Sequence, residues 1–304
     1  MNGFLLLDKP KGITSFFCVK KLRWLLGTKK MGFAGTLDPL ATGLMIVAAG
    51  EATKMIPFLE GADKVYDVTI RLGRVSTTYD AEGELSDYSG VLVKPTRVLI
   101  QNVLDEHFSG EREQFPPAHS AVWVDGKRAY ELARQNKVFK LKSRSVNFYD
   151  LKIRSYVWPS LTLRVHCSAG TYVRSLAHDL GGLLGCGGYV RELRRIKHGR
   201  YSVKDAVLLD DLTPLNVAGY LRRIEDMFVD FNRMELTSEE YRILENGGFI
   251  ENRPDFSGEP VLAMFEGVCS GVLELRGNKL KYKRRFLRPG LQRPGFGLLT
   301  GGDF

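Results

Sequence analysis

The sequence predicts an α+β fold followed by a small all-β module. Three observations carry that prediction. Apolar residues alternate between a period of two and helical spacing through the first 230 residues. They do so without the regular strand–helix–strand succession of a parallel doubly wound sheet. From about Ile250 onward the apolar runs are short, PVLAMF, GVCSGVLEL and KLKYKR, and Gly or Asn separates them. The chain has 304 residues, 44% of them hydrophobic. That is length for about two domains and a sizeable core.

Taken in order, FLLLD (Phe4 to Asp8) reads as a short buried strand ending at KPKG. Thr14 or Ser15 then caps a helix. Cys18, Val19, Leu22, Leu25 and Leu26 recur at helical spacing, and Gly27 ends it. LMIVAAG (Leu44 to Gly50) reads as a buried strand. In VYDVTIRLG (Val65 to Gly73), Tyr66, Val68, Ile70 and Leu72 share one face. TTYDAEGE is a polar, turn-rich loop. Pro95 to Gly110 reads as a helix with Gly110 at its end. Phe115 to Lys137 holds two prolines, a turn at Asp125-Gly126 and a short helical piece, which reads as a surface excursion. LTLRVHCSAG (Leu161 to Gly170) alternates as a strand, and TYVRSLAHDLGGLLG switches to helical spacing with Thr171 as its cap. MELTSEEYRILENGGFI reads as a linker helix ended by Gly247. The organisation expected is one domain over 1–232, then a linker helix and β module over 233–304.

The net charge is +9. Lys9 to Lys30 carries seven basic residues and no acid, Arg191 to Lys204 six against Glu192 alone, and Arg276 to Arg293 eight and no acid. Any one run is ordinary solvated surface. Three of them with aromatics nearby favour a nucleic-acid partner. Cys18, Cys167, Cys186 and Cys269 form no C-x-x-C pair, which fits a reducing cytosol. The apolar run Phe4 to Leu7 is too short for a signal peptide, and no stretch approaches a transmembrane length.

Candidate chemistry starts at GFAGTLDPLATG, Gly32 to Gly43, whose one charge is Asp38. Pro39 steers Asp38 out of the α region. Gly32, Gly35 and Gly43 permit close backbone approach to a ligand. Such an acid serves as nucleophile or base. By spacing alone, a turn aspartate capping its own backbone stands first. Arg174 sits at the start of a helix, where a cation opposes the helix dipole. A fixed anion, Asp38 or a phosphate, accounts for it; so does an arginine reaching to solvent. Tyr66 packs in the core by default, or stacks on a base if its face ends at a pocket. The histidines at 107, 119, 166, 178 and 198 form no metal-spaced pair.

Together these stretches resemble the bacterial tRNA pseudouridine-55 synthases of the TruB type. The resemblance rests on LDKPKGITS (Leu7 to Ser15), GFAGTLDPLATGLMIVAAGEATK (Gly32 to Lys54), DKVYDVTIRLGRVSTTYDAEG (Asp63 to Gly83), PPAHSAVWVDGKRAYELAR (Pro116 to Arg134), AGTYVRSLAHDLG (Ala169 to Gly181) and GGYVRELRR (Gly187 to Arg195), in order over nearly all of the first 230 residues. It implies a pseudouridine synthase fold, α+β around a mixed, largely antiparallel sheet, and a PUA-like RNA-binding module at the C-terminus. It implies isomerisation of uridine 55 in the T-arm stem-loop of elongator tRNAs, without cofactor or metal. By the same resemblance Asp38 is the catalytic aspartate, Tyr66 stacks on the flipped uracil, and Arg174 pairs with Asp38. Leu193 lines the uracil pocket, and Lys64, Lys9 and His119 lie in substrate-binding motifs. Residues 115–137 correspond to a mobile thumb, poorly ordered without RNA. Phe33 stands where the family usually has histidine, and His119 where it often has tyrosine or phenylalanine. The expected protein is a cytoplasmic monomer, with no membrane contact. The short lead before DKPKG favours a form needing no obligatory protein partner. An RNA-binding or tRNA-folding protein on the same scaffold is the competing class.

Overall fold

The structure is a computed structural model that describes residues 1–90, 94–120, 122–124, 126–135, 137–253 and 260–287. Its larger sheet is built from β1 (Gly3–Lys9), β2 (Met31–Ala34), β3 (Thr42–Ala49), β4 (Lys64–Leu72), β5 (Gly110–Gln114), β6 (Arg144–Val157), β7 (Ser160–Cys167), β8 (Gly188–His198) and β9 (Val207–Leu208). The strand order is β9-β1-β3-β8-β4-β7-β6-β5, with β2 on β3 and the short strand Tyr201–Ser202 on β8. Within this sheet, among the described residues, only the strand pairs β1–β9 and β3–β8 run parallel. The sheet is therefore mixed and largely antiparallel, as expected.

Three helices cover one face: α1 (Ser15–Leu26), α2 (Arg97–His107) and α3 (Val173–Leu183). Thr14 caps α1, accepting from the Phe17 amide at 3.0 Å, and Gly27 closes it in the left-handed conformation. Leu5, Leu7, Val68, Ile70, Leu163 and Val165 of the sheet share one core with Leu22 of α1, Leu104 of α2 and Leu176 of α3.

Two boundaries differ from expectation. The helix read to Gly110 stops at His107, and Gly110 instead opens β5 with φ +73°. Thr171 does not cap α3, because its hydroxyl donates to the Ser168 carbonyl. Tyr172 is the cap residue, and Gln114 of β5 satisfies it from across the fold. The Gln114 side chain accepts from the Tyr172 amide at 2.8 Å and donates to its carbonyl at 3.1 Å. A long-range partner has replaced a local one.

The C-terminal part is a five-stranded sheet of β10 (Asn232–Glu235), β11 (Ile250–Glu251), β12 (Val261–Phe265), β13 (Val268–Arg276) and β14 (Lys279–Arg285), ordered β10-β12-β13-β14-β11. Helix α4 (Ser238–Glu245) begins in a capping box of Thr237 and Glu240. It is no linker. β10, which precedes it, already pairs with β12, and Leu244 joins that sheet's own core. Strand β12 alternates sharply. Val261, Ala263 and Phe265 face the α4 side, while Leu262 and Met264 enter a core shared with Phe4, Leu44 and Ile46 of the large sheet. Glu51 fastens the junction, bonded to Lys30 at 2.5 Å, to Lys54 at 2.6 Å and to the Leu287 amide at 3.1 Å. The Phe115–Lys137 excursion holds a hairpin of Trp123–Val124 and Lys127–Arg128 and the short helix Ala129–Arg134. Asp125, half of its expected turn, lies outside the described residues. No helix among the described residues is long and apolar enough to cross a membrane.

Candidate active site

Asp38 lies in the loop between β2 and β3, and that loop is held from several sides. Ser15, the first residue of α1, donates through its hydroxyl to the Leu37 carbonyl and accepts from the Leu37 amide, both at 2.9 Å. The Gly12 amide donates to the Pro39 carbonyl at 2.8 Å. Lys9 is fully buried, and its ammonium donates to the carbonyls of Pro10 (2.9 Å) and Pro39 (3.3 Å). Lys9 therefore braces the turn behind Asp38, where a substrate contact was expected.

Arg174 reaches the loop from the second position of α3, where its charge opposes the helix dipole. Its Nε lies 3.0 Å from the Asp38 carboxylate. Its Nη1 donates to Asp80 at 3.2 Å and to the Thr78 carbonyl at 3.3 Å, and its Nη2 to the His119 carbonyl at 3.0 Å. One guanidinium thus ties together the Asp38 loop, the Thr78–Asp80 turn and the base of the excursion. Two carboxylates offset its unfavourable helix position.

Sequence reading passed over Asp80. Its side chain is 2% exposed, and beyond Arg174 it accepts from the Thr78 hydroxyl at 2.6 Å and the Glu82 amide at 3.0 Å. The available signal was an acid in a loop otherwise rich in hydroxyls. Burial pushes the Asp38 carboxyl pKa up, Arg174 opposes this, Asp80 adds to it and Lys9 opposes, and the net direction is upward. The pairing offsets burial without overcoming it. The product is a carboxylate more basic than an exposed aspartate, suited to attack or proton removal.

Tyr66 lies on the inward face of β4, near enough to Asp38 for the Asp38 charge to add to the upward push on its hydroxyl pKa. Directly across on β8 stands Arg195, with Leu193 across from Val68. These four therefore share one face. Arg195 is 1% exposed, donating to the carbonyls of Leu44 (2.6 Å) and Gly35 (3.0 Å). No carboxylate pairs with it among the described residues. Burial pushes the Tyr66 hydroxyl pKa up, against the neighbouring Arg195 charge. Lys64 is also buried, donating to the carbonyls of Glu60 and Ala62. Burial and then Arg195 lower it to about 8. Burial, Arg195 and Lys64 together drive His198 down to about 3, so it is neutral. Arg195 is the second residue that sequence reading missed.

The glycines of the loop serve the chain itself. Gly43 has φ +100°, and a Cβ there would lie 2.3 Å from the Arg195 carbonyl. At Gly35, φ +70°, a Cβ would meet the Arg195 guanidinium at 3.2 Å. At these two glycines the backbone approaches Arg195 closely. His119 enters the site through its carbonyl. Phe33, on β2 opposite Val47, is half-buried against the main core. The structure thus brings together Asp38, Tyr66 and Arg174, adds Asp80 and Arg195, and removes Lys9 to a supporting place.

Comparison with known proteins gives concordant results. A family model described as "TruB family pseudouridylate synthase (N terminal domain)" matches residues 23–173, and one described as "tRNA pseudouridylate synthase B C-terminal domain" matches 174–225. A protein of Ruegeria pomeroyi named tRNA pseudouridine synthase B is 40% identical over 296 residues, covering 95% of this chain and 97% of its own. One of Clostridium kluyveri with the same name is 36% identical, covering 81% and 84%. Among solved structures, a Cbf5-Nop10-Gar1 complex contains a chain with TM-score 0.69 and 23% identity, covering 94% of this chain and 85% of that one. An H/ACA RNP bound to a substrate RNA gives TM-score 0.68 at 21% identity, covering 94% and 85%. At those identities the two structures speak for the fold alone.

Proposed function

From the TruB family of pseudouridylate synthases, to which this chain belongs, we propose that the enzyme isomerises uridine 55 in the T-loop of elongator tRNAs. The protein is a tRNA pseudouridine synthase, an isomerase. The finer reading assigns the target nucleotide and places the chemistry on Asp38. The observation that carries it is one acid, its pKa raised by burial, held by Arg174 at the mouth of a buried face bearing Tyr66.

In the reaction the N1–C1′ bond breaks, the uracil turns and a C5–C1′ bond forms. The proton on C5 leaves and N1 gains one, so composition is unchanged. Asp38 adds to the base, attacks C1′ or takes the C2′ proton, and each route starts from its ionised form. The target base must leave its stack, at a cost of a few kcal/mol. Tyr66 stacking on it returns about 1–3 kcal/mol. Leu193 walls the pocket. Phe33 acts as an apolar wedge where histidine is usual. A Phe33→His variant far faster than wild type would show that the substitution impairs flipping.

Basic side chains hold the RNA backbone, giving affinity without sequence information. The 115–137 segment closes over the RNA; its Trp123 is 61% exposed, with the Arg128 guanidinium 4.2 Å from the ring centre. The C-terminal sheet acts as a PUA-like RNA-binding module. The enzyme works in the cytoplasm as a monomer, with no obligatory protein partner and no cofactor. The test is pseudouridine mapping in an unmodified tRNA transcript with purified protein alone, beside Asp38→Asn. Product at the T-loop uridine from wild type only supports the reading. Tight binding without product from wild type refutes it in favour of an RNA-binding protein.

A further inference from the structure

Helix α1 has twelve residues, and they divide evenly. Ser15, Cys18, Val19, Leu22, Leu25 and Leu26 are buried. At 100° per residue the other six form one outward arc. They are Phe16, Phe17, Lys20, Lys21, Arg23 and Trp24. Three are aromatic, three are cationic, and none is acidic or small. An ordinary solvated helix face mixes acids and polar residues with its cations. This one exposes Phe16 by 61%, Phe17 by 50% and Trp24 by 73%. Three large aromatics exposed on one helix face, interleaved with cations, suit an interaction surface.

The chemistry of the arc selects its partner. Aromatic faces attract flat rings, and ammonium and guanidinium groups attract phosphates. The Arg23 guanidinium lies 5.7 Å from the centre of the Phe16 ring, so cation and aromatic sit side by side. Lys21 pairs with Asp210 at 3.0 Å and Arg23 donates to the Met31 carbonyl at 3.3 Å, while Lys20 has no carboxylate partner among the described residues, so an apolar protein surface would leave its charge desolvated and unmatched. A nucleic acid with accessible bases satisfies both halves.

The position of the arc also constrains it. The first turn of α1 is bonded to the catalytic loop through Ser15 and Leu37, one residue from Asp38. A twelve-residue helix extends roughly 18 Å. The surface therefore begins at the rim of the active site and runs away from it, where RNA continues past the reacting loop.

We infer that the outward face of α1 is an RNA-docking surface that stacks loop bases of the substrate tRNA lying outside its T-arm. This rests on the tRNA reading above and extends it to a surface remote from the chemistry. The experiment measures equilibrium binding of a full tRNA transcript and of an isolated T-arm stem-loop. The proteins are wild type, the Phe16→Ser/Phe17→Ser/Trp24→Ser variant and Lys20→Gln/Arg23→Gln. All five positions are at least partly exposed, so unchanged melting temperatures and T-arm binding report an intact fold. The conservative Trp24→Phe variant provides a second check and should bind both RNAs as wild type does.

Loss of each stacked base lowers affinity by about tenfold. The aromatic variant is expected to bind full tRNA at least tenfold more weakly while T-arm affinity is unchanged. The charge variant should show a shallower dependence of tRNA affinity on salt. Equal losses on both RNAs, or no loss on either, overturn the inference. So does binding of wild type, but not the aromatic variant, to anionic phosphatidylglycerol vesicles with tRNA affinity unaltered. Absence of pseudouridine from wild-type reactions would instead refute the enzymatic reading and leave the binding comparison standing.

Discussion

Removing Asp80 tests whether the site depends on a second acid behind Asp38. In Asp80→Ala, three donors lose their acceptor: Arg174 Nη1 at 3.2 Å, the Thr78 hydroxyl at 2.6 Å and the Glu82 amide at 3.0 Å. The pair is buried, with side-chain exposures of 7% and 2%. Breaking such a pair from one side costs about 3–5 kcal/mol. Arg174 keeps Asp38 and two carbonyls, so the lower end, about 3 kcal/mol, is expected. Freed from Asp80, the guanidinium shifts toward Asp38, and misplacement of about 1 Å costs about 10²-fold in rate. Asp80→Asn retains an acceptor for Thr78 and Glu82 but no charge for Arg174. It should recover much of the stability while remaining as slow as alanine. The assays are thermal unfolding and single-turnover pseudouridine formation at saturating tRNA. A wild-type rate in Asp80→Ala, or full recovery of rate in Asp80→Asn, refutes the argument.

Further outcomes follow from the same geometry. Because burial raises the Asp38 pKa, Asp38 ionises at higher pH than an exposed aspartate. The acid limb of the single-turnover rate should therefore lie above pH 3.8 and vanish with the activity in Asp38→Asn. Glu51 behaves oppositely. Its charge is held by Lys30, Lys54 and the Leu287 amide against burial, and its pKa falls to about 2. The stabilisation it gives is complete above the ordinary carboxylate range and is lost as pH falls toward 2. Glu51→Gln should lower the melting temperature at pH 7 and flatten the acid dependence seen by calorimetry. If Arg195 acts on catalysis through Tyr66, Arg195→Lys should slow the wild type but not a Tyr66→Phe variant. Equal effects in both backgrounds would mean that it only holds the Gly35 loop.

Local signals predicted the elements well where the determinant lies within one turn or one strand. Thr14 and Gly27 bound α1 because a cap needs only neighbouring amides and a left-handed residue. The alternation of β4 placed Tyr66 on the inward face. The helix-start position of Arg174 left a fixed anion and a reach to solvent both open, and in the structure two carboxylates meet it. The failures have a common cause. Thr171 is a good cap residue by type, but Gln114 reached Tyr172 first from β5. Lys9 looked like a surface cation, but β1 carries it beneath the Pro39 turn.

The sequence by itself determined most of the elements, the basic runs and the lone acid in its small-residue loop. Each follows from residues close together in the chain. Only the tertiary structure decided what surrounds that acid. The β3–β8 and β8–β4 pairings bring Arg195 beside Gly43 and Tyr66. The packing of α3 brings Arg174 between Asp38 and Asp80, which are 42 positions apart. The shared core of β12 with β1 and β3 seats the C-terminal sheet on the large one. Burial and charge pairing are set by distances in space, and those depend on strand order, which no local pattern encodes.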